Sequence, residues 1–178
     1  MPEHPSVDRV VSVVRAQGLT GEPRWFDDGV RTAAEAAAAL GIEVGAIANS
    51  LVFTLDGEPI LVMTSGSHRV DTAWLGAQLG GTIKRADADV VRGATGQVIG
   101  GVAPVGHPAP LRTWVDTQLA EFDELWAAAG HAHAVFPLRF DELVRITGGT
   151  VTAVEPQARS EELTTRRASR PPTPTPRR

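Results

Sequence analysis

The chain of 178 residues has no cysteine, no tyrosine, two methionines and one lysine, Lys84, among its 17 basic residues. Without cysteine there is no disulfide framework, no thiolate metal site and no cysteine nucleophile. No apolar run approaches the ~18–20 residues of a membrane-spanning helix, so no membrane partner is expected. The start, Met1-Pro2-Glu3-His4, lacks a basic segment followed by an apolar one, and no secretory signal is expected. Several catalytic signatures are also missing: the Walker phosphate loop, the GxGxxG dinucleotide fingerprint, the HExxH metalloprotease helix and the GxSxG nucleophile elbow. A nucleotidase or an α/β hydrolase would have to work without its usual motif, and both are set aside. The expectation is a single-domain cytoplasmic protein.

What is present is unevenly distributed. Up to Pro156 the chain carries 11 basic against 19 acidic residues, a net −8; the last 22 residues carry six arginines against two glutamates, a net +4. A hydrophobic content of 42% fits a globular body. A body of this length buries roughly 70% of its unfolded surface. Residues 1–156 are therefore expected to form one domain. Residues 157–178, ending Arg170-Pro-Pro-Thr-Pro-Thr-Pro-Arg-Arg178, show no apolar periodicity and are expected to be a disordered Arg/Pro-rich tail. Six arginines there can attract a phosphate backbone, although a solubilising extension is the simpler and preferred reading.

Within the body, helical and strand signals alternate. Val7, Val10, Val11 and Val14 mark one helix face, ending at Gly18. Thr32-Ala-Ala-Glu35 is a capping box before an alanine run stopped by Gly41. Ile47–Leu55 and Pro59–Thr64 read as strands joined at Asp56-Gly57. Asp71 can cap a helix through Leu79, and Asp87–Ala94 reads as another. Further expectations are a strand at Arg112–Val115, an amphipathic helix over Thr117–Ala129, a strand at Ala134–Leu138, a helix at Asp141–Thr147 and a strand at Thr150–Val154. Hairpins mixed with single helices, without repeated βαβ units, indicate an α+β domain.

Three segments could carry chemistry. His131-Ala-His133 would face two imidazoles the same way on a strand, and with His107 could form a zinc site, but an isolated HxH is a weak signal and no metal is expected. Ser65-Gly66-Ser67-His68 offers a serine and a histidine without a third group to orient the base, and a turn with a helix cap at Asp71 accounts for it. Gly100-Gly101-Val102-Ala103-Pro104-Val105-Gly106 combines backbone freedom with a stiffening proline, and its N–H groups could bind a carbonyl oxygen or an anion. A tight loop between sheet elements would use the same residues. The four tryptophans, Trp25, Trp74, Trp114 and Trp126, are taken as packing residues.

Taken together, Ile47-Ala-Asn-Ser-Leu-Val-Phe53, Ser65-Gly66 with Arg69-Val70-Asp71, Gly100–Gly106, Ala129-Gly130-His131 and Leu143-Val-Arg-Ile-Thr-Gly148 resemble the YbaK/ProX family of aminoacyl-tRNA editing domains, over about Arg31 to Val154. The resemblance implies a compact, mixed and partly barrel-like sheet surrounded by helices. It also implies cofactor-free hydrolysis of the ester joining an amino acid to the terminal adenosine of tRNA. The partner would be the acceptor end of aminoacyl-tRNA, with no DNA partner.

By the same resemblance, Gly100, Gly101 and Asn49 are the catalytic candidates. Ser50, Ser65, Gly66, Val102, Pro104, Gly130 and His131 are the candidates for substrate binding. Many family members carry lysine where this chain has Asn49. That departure keeps a second reading open, a module that binds aminoacyl-tRNA or an amino-acid-like ligand without catalysis. The amino acid, the tRNA and the oligomeric state are left open.

Overall fold

The computed structural model describes residues 4–27, 30 and 32–157, so the expected tail lies almost wholly outside the described residues. Helix α1, Pro5–Ala16, starts where His4 accepts the Ser6 N–H on its Nδ1 and Pro5 enters the first turn, and it buries Val7, Val10 and Val14. A short strand β1, Arg24–Trp25, precedes helix α2, Ala33–Leu40, which has the expected Thr32/Glu35 capping box and ends at Gly41. Strands β2, Ile47–Leu55, and β3, Glu58–Ser65, form the expected hairpin, with Asp56 and Gly57 both at positive φ as a two-residue turn requires. Helix α3, Thr72–Leu79, is capped by Asp71; strand β4, Ile83–Arg85, follows, and helix α4, Ala88–Thr95, is capped by Asp87. Strand β5, Arg112–Asp116, leads into a 3₁₀ turn at Thr117–Glu121. Strand β6, Leu125–His131, strand β7, Ala134–Leu138, helix α5, Phe140–Thr147, and strand β8, Thr150–Thr152, are the last elements among the described residues.

Among the described residues eight strands form one mixed sheet in the order β1-β7-β6-β2-β3-β5-β8, with β4 added beside β2. The α+β expectation holds. β3 is the centre: Leu61 and Met63 enter the larger core with Val10, Val115 and Leu125, while Ile60 and Val62 enter a second core with Phe53, Leu75 and Trp114. A strand buried on both faces reads as a continuous apolar run, as Ile60-Leu-Val-Met63 does. Among the described residues no helix is long and apolar enough to cross a membrane.

One expectation fails. Thr117–Ala129 is not an amphipathic helix but a 3₁₀ turn followed by β6. The alanines of Leu125-Trp-Ala-Ala-Ala-Gly130 imitate helix propensity, yet the segment pairs with β7 and β2 as a strand. Leu125, Ala127 and Ala129 alternate inward with no more than 1% exposure. α1 crosses so close to this strand that a Cβ on Gly130 would lie 2.9 Å from the Ser6 carbonyl oxygen. Small residues are needed there whatever their helix propensity. β8 is also shorter than expected, because Val154 leaves the sheet to pack into the second core.

Candidate functional site

The site begins at a gap in the sheet. Along one edge, β2 pairs in parallel with β6 at Ile47 and Ala48, and antiparallel with β4 at Phe53, Thr54 and Leu55. The four residues between, Asn49 to Val52, pair with no strand on that side among the described residues. A cavity of about 420 Å³ occupies the gap. Its walls are largely apolar, with Ala33 and Ala36 from α2, Val91 from α4 and Val135 from β7. Polar groups are few: Thr32, Asn49, Ser50, the main chain at Gly100, and Arg85, the one charged side chain among the described lining residues. An apolar pocket with a small set of convergent polar groups is the form that small-ligand sites take.

The glycine-rich loop forms the rim. Gly101 N–H donates to the Val98 carbonyl at 3.0 Å, closing a turn in which Gly100, at φ +90°, holds the third position. That position tolerates positive φ when it is glycine. Ile99 is carried outward to 64% exposure at the cavity edge. Gly101 lies against the β6–β7 turn, where a Cβ would come within 2.8 Å of the Ala132 nitrogen and of the His131 carbonyl carbon.

Ala103 is held from two sides. Its N–H donates to Gln97 Oε1 at 2.7 Å, and its carbonyl accepts from His107 Nε2 at 2.9 Å. The N–H groups of Gly101 and Ala103 are thus committed within the loop. Those of Gly100 and Val102 make no hydrogen bond among the described residues.

Residues 27–146 match the family model described as the aminoacyl-tRNA editing domain. The chain belongs to that family. The membership expected from the sequence motifs is therefore borne out. The editing domain is 28% identical over 119 residues to the uncharacterized protein YwhH of Bacillus subtilis (strain 168), covering 66% of this chain and 76% of that protein. It is 31% identical over 99 residues to the proline–tRNA ligase of Nitratidesulfovibrio vulgaris (strain DP4), covering 55% of this chain but only 17% of the ligase. A crystal structure described as a candidate trans-editing enzyme for prolyl tRNA synthetase superposes with a TM-score of 0.82 at 36% identity, covering 87% of this chain and 99% of that one.

The editing domain gathers some of the sequence-derived site residues and separates others. Asn49, Ser50, Gly100 and Val102 line the cavity, and Gly101 and the buried Pro104 stand behind them in the same loop. Ser65 does not reach the cavity; it is fully buried, and its hydroxyl donates to the Gly45 carbonyl at 2.7 Å. Gly66 packs against the Val44 carbonyl, where a side chain would collide. Gly130 supports α1, and His131 packs at an angle against His4, Trp25 and His133 with ring centroids 4.5, 5.5 and 5.1 Å away. His131 and His133 do not share a strand face, because β6 ends at His131 and a turn follows. No three His, Cys, Asp or Glu side chains converge as a metal-binding group among the described residues.

Sequence reasoning missed Arg85, Gln97 and Asp116. Arg85 is adjacent to Lys84 in a basic pair, but only the pairing of β4 with β2 turns it toward the cavity. Asp116 is the third group that the Ser/His segment lacked in sequence. It is fully buried and accepts from His68 Nδ1 at 3.0 Å. The Ser65 and Ser67 hydroxyls bond to each other at 2.9 Å and neither bonds to the imidazole, so this cluster ties strands together and is not a nucleophile–base pair.

Burial pushes the His107 pKa below 6.5, with a smaller opposing push from its bond to Ala103 and a further lowering by Arg9. Burial lowers His131 as well, assisted by His4 and His133. A histidine whose folded-state pKa is lowered is kept neutral by the fold, so the unfolded chain binds its proton more readily. Its stabilisation is present above pH 6.5 and is lost as pH falls below that value. His107→Asn is expected to flatten part of this acid-side loss, measured as urea midpoints from pH 6.5 downward. A slope unchanged in the variant would remove His107 as a source.

Proposed function

We propose that this editing domain is a trans-acting deacylase that hydrolyses mischarged aminoacyl-tRNA. The observation that carries the reading is the cavity in the split sheet, where Asn49 and Ser50 on β2 and Gly100 and Val102 of the rim line one largely apolar chamber of about 420 Å³. An aminoacyl group can enter such a chamber while its adenosine stays at the mouth. Water adds to the ester carbonyl, the carbon–oxygen bond to the ribose breaks, and a free amino acid and an intact tRNA terminus leave. The developing oxyanion needs aimed donors. Gly100 and Val102 N–H are free to serve, and the Asn49 amide can add a neutral hydrogen bond where many family members place an ammonium. The neighbouring ribose hydroxyl and water supply the proton transfers, with no cofactor.

Recognition is confined to the acceptor end, because a body of net −8, 11 basic against 19 acidic residues, repels a longer stretch of duplex. The protein would act in the cytoplasm, where aminoacyl-tRNA is made. A panel of aminoacyl-tRNAs carrying correct and incorrect amino acids, incubated with the purified chain, is expected to show accelerated deacylation of at least one mischarged species. Saturable binding without turnover would replace this reading by a binding module, and neither binding nor turnover would remove both.

A further inference from the structure

The split sheet leaves more than space beside β2; it leaves main-chain hydrogen-bonding groups without partners. In a strand the N–H and C=O of alternate residues point to opposite edges. Two contacts fix the parity in β2. The Ile47 carbonyl accepts from Gly66 N–H at 2.8 Å on the β3 side, whereas the Val52 carbonyl accepts from Ala86 N–H at 3.4 Å on the β4 side. Pro59 agrees, since it sits opposite Thr54, where no N–H is required toward β2. Ser50 has the parity of Val52, so its N–H and C=O point away from β3 and into the gap. β6 has stopped pairing at Ala48 and β4 begins only at Phe53. The Ser50 N–H, the Ser50 C=O and the Val52 N–H therefore face the cavity with no strand partner among the described residues. The Ser50 side chain is out of the way, its hydroxyl bonded to Met63 Sδ at 3.3 Å.

Residues 49–52 are half-buried, and unpaired main-chain groups on such an edge take their partners from water or from a ligand. A gap of four residues spans about 13 Å along the strand, room for one aminoacyl group. We propose that this edge of β2 is a main-chain subsite for the α-amino group of the substrate. The Ser50 C=O accepts from the α-ammonium, as it would from a neighbouring strand, while the Ser50 or Val52 N–H donates to the ester carbonyl. This rests on the deacylase reading above and adds to it a requirement for a free, charged α-amino group, whatever the side chain. No acidic side chain lines the cavity among the described residues to serve the ammonium instead.

The test uses the best aminoacyl-tRNA from the panel beside its α-hydroxyacyl counterpart, made by deamination, and its N-acetylated form, each corrected for spontaneous hydrolysis. The kcat/KM is expected to fall about 10- to 100-fold for the α-hydroxyacyl ester, the worth of one charge-assisted hydrogen bond, and at least as far for the N-acetyl ester. On the protein side, replacing Leu51 with its α-hydroxy analogue turns the Ser50 carbonyl into a weaker ester acceptor. The same replacement at Phe53 deletes an equivalent β2–β3 bond but weakens the Val52 carbonyl, so it controls for lost ladder bonding. The Leu51 analogue is expected to lose about ten-fold against the aminoacyl substrate and little against the α-hydroxyacyl one, as coupling between the two groups demands. Equal hydrolysis of aminoacyl and α-hydroxyacyl esters, or equal loss by the Leu51 analogue on both, overturns the subsite and leaves the deacylase reading standing. Hydrolysis of neither ester removes both.

Discussion

Gly101→Ala is expected to lower the kcat/KM of deacylation by about 100-fold, because the added methyl displaces the rim of the cavity by a fraction of the distance over which catalytic geometry fails. The atoms it would meet are the Ala132 nitrogen, the His131 carbonyl carbon and the His131 Cα, at 2.8, 2.8 and 2.9 Å. All three are main chain and cannot swing aside as a flexible side chain would. Either the turn after β6 shifts, or the Val98–Gly101 turn lifts away from it and carries the Gly100 and Val102 N–H groups with it. Overpacking of this kind costs about 1–3 kcal/mol. The neighbour Gly100 separates the two effects. A Cβ there meets nothing within 4 Å, but φ is +90°, so Gly100→Ala introduces backbone strain without a collision. Both variants should melt earlier than the parent chain, by about 2–4 °C per kcal/mol lost. The decisive comparison is activity at a temperature where both remain folded. A Gly101→Ala protein that deacylates as fast as the parent would take the glycine loop out of the reaction.

The largest expected effect on stability belongs to Asp116. Its carboxylate is fully buried and accepts from the Thr64 hydroxyl at 3.3 Å, Ser65 N–H at 3.1 Å, His68 Nδ1 at 3.0 Å and Gln118 N–H at 3.0 Å. Asp116→Ala leaves four polar groups facing a void. The loss should be about 3–5 kcal/mol, as for breaking other buried charged networks, or a fall in melting temperature of roughly 6–20 °C. Asp116→Asn keeps the volume but turns an amide N–H₂ toward donors, and should recover only part of the loss. His68→Ala should cost less than Asp116→Ala, since the imidazole is already 26% exposed. Activity should fall too. Thr64 stands opposite Asn49 in the β2–β3 register and Asp116 holds Thr64, so the carboxylate sets the strand edge on which Asn49 sits. An Asp116→Ala protein melting within a degree or two of the parent would mean that water replaces the carboxylate and that the network has no structural role.

Much of this architecture was legible in the order of residues because its causes are local. The Thr32/Glu35 box, Asp71 and Asp87 each cap a helix through bonds three residues long, and Asp56-Gly57 dictates a two-residue hairpin by its φ requirements. The motifs that carried the family resemblance also led to Asn49, Ser50 and Gly100–Val102, which meet around one cavity. Where the cause is distant, local reading failed. The alanines of β6 look helical in isolation and form a strand because they pair with β7 and β2, with α1 packed close at Gly130. Arg85 and Asp116 have unremarkable neighbours in sequence and acquire their roles only across the sheet, one opposite Phe53, the other beneath His68.

By itself the sequence determined the capped helix starts at Thr32, Asp71 and Asp87, the central hairpin, the class of fold and the editing family, since capping, turn chemistry and short motifs act over a few bonds. Only the tertiary structure decided that β4 and β6 share one edge of β2 and stop short of each other. Strand pairing joins residues far apart in the chain, and the groups left unpaired between two such strands are visible only once both are in place.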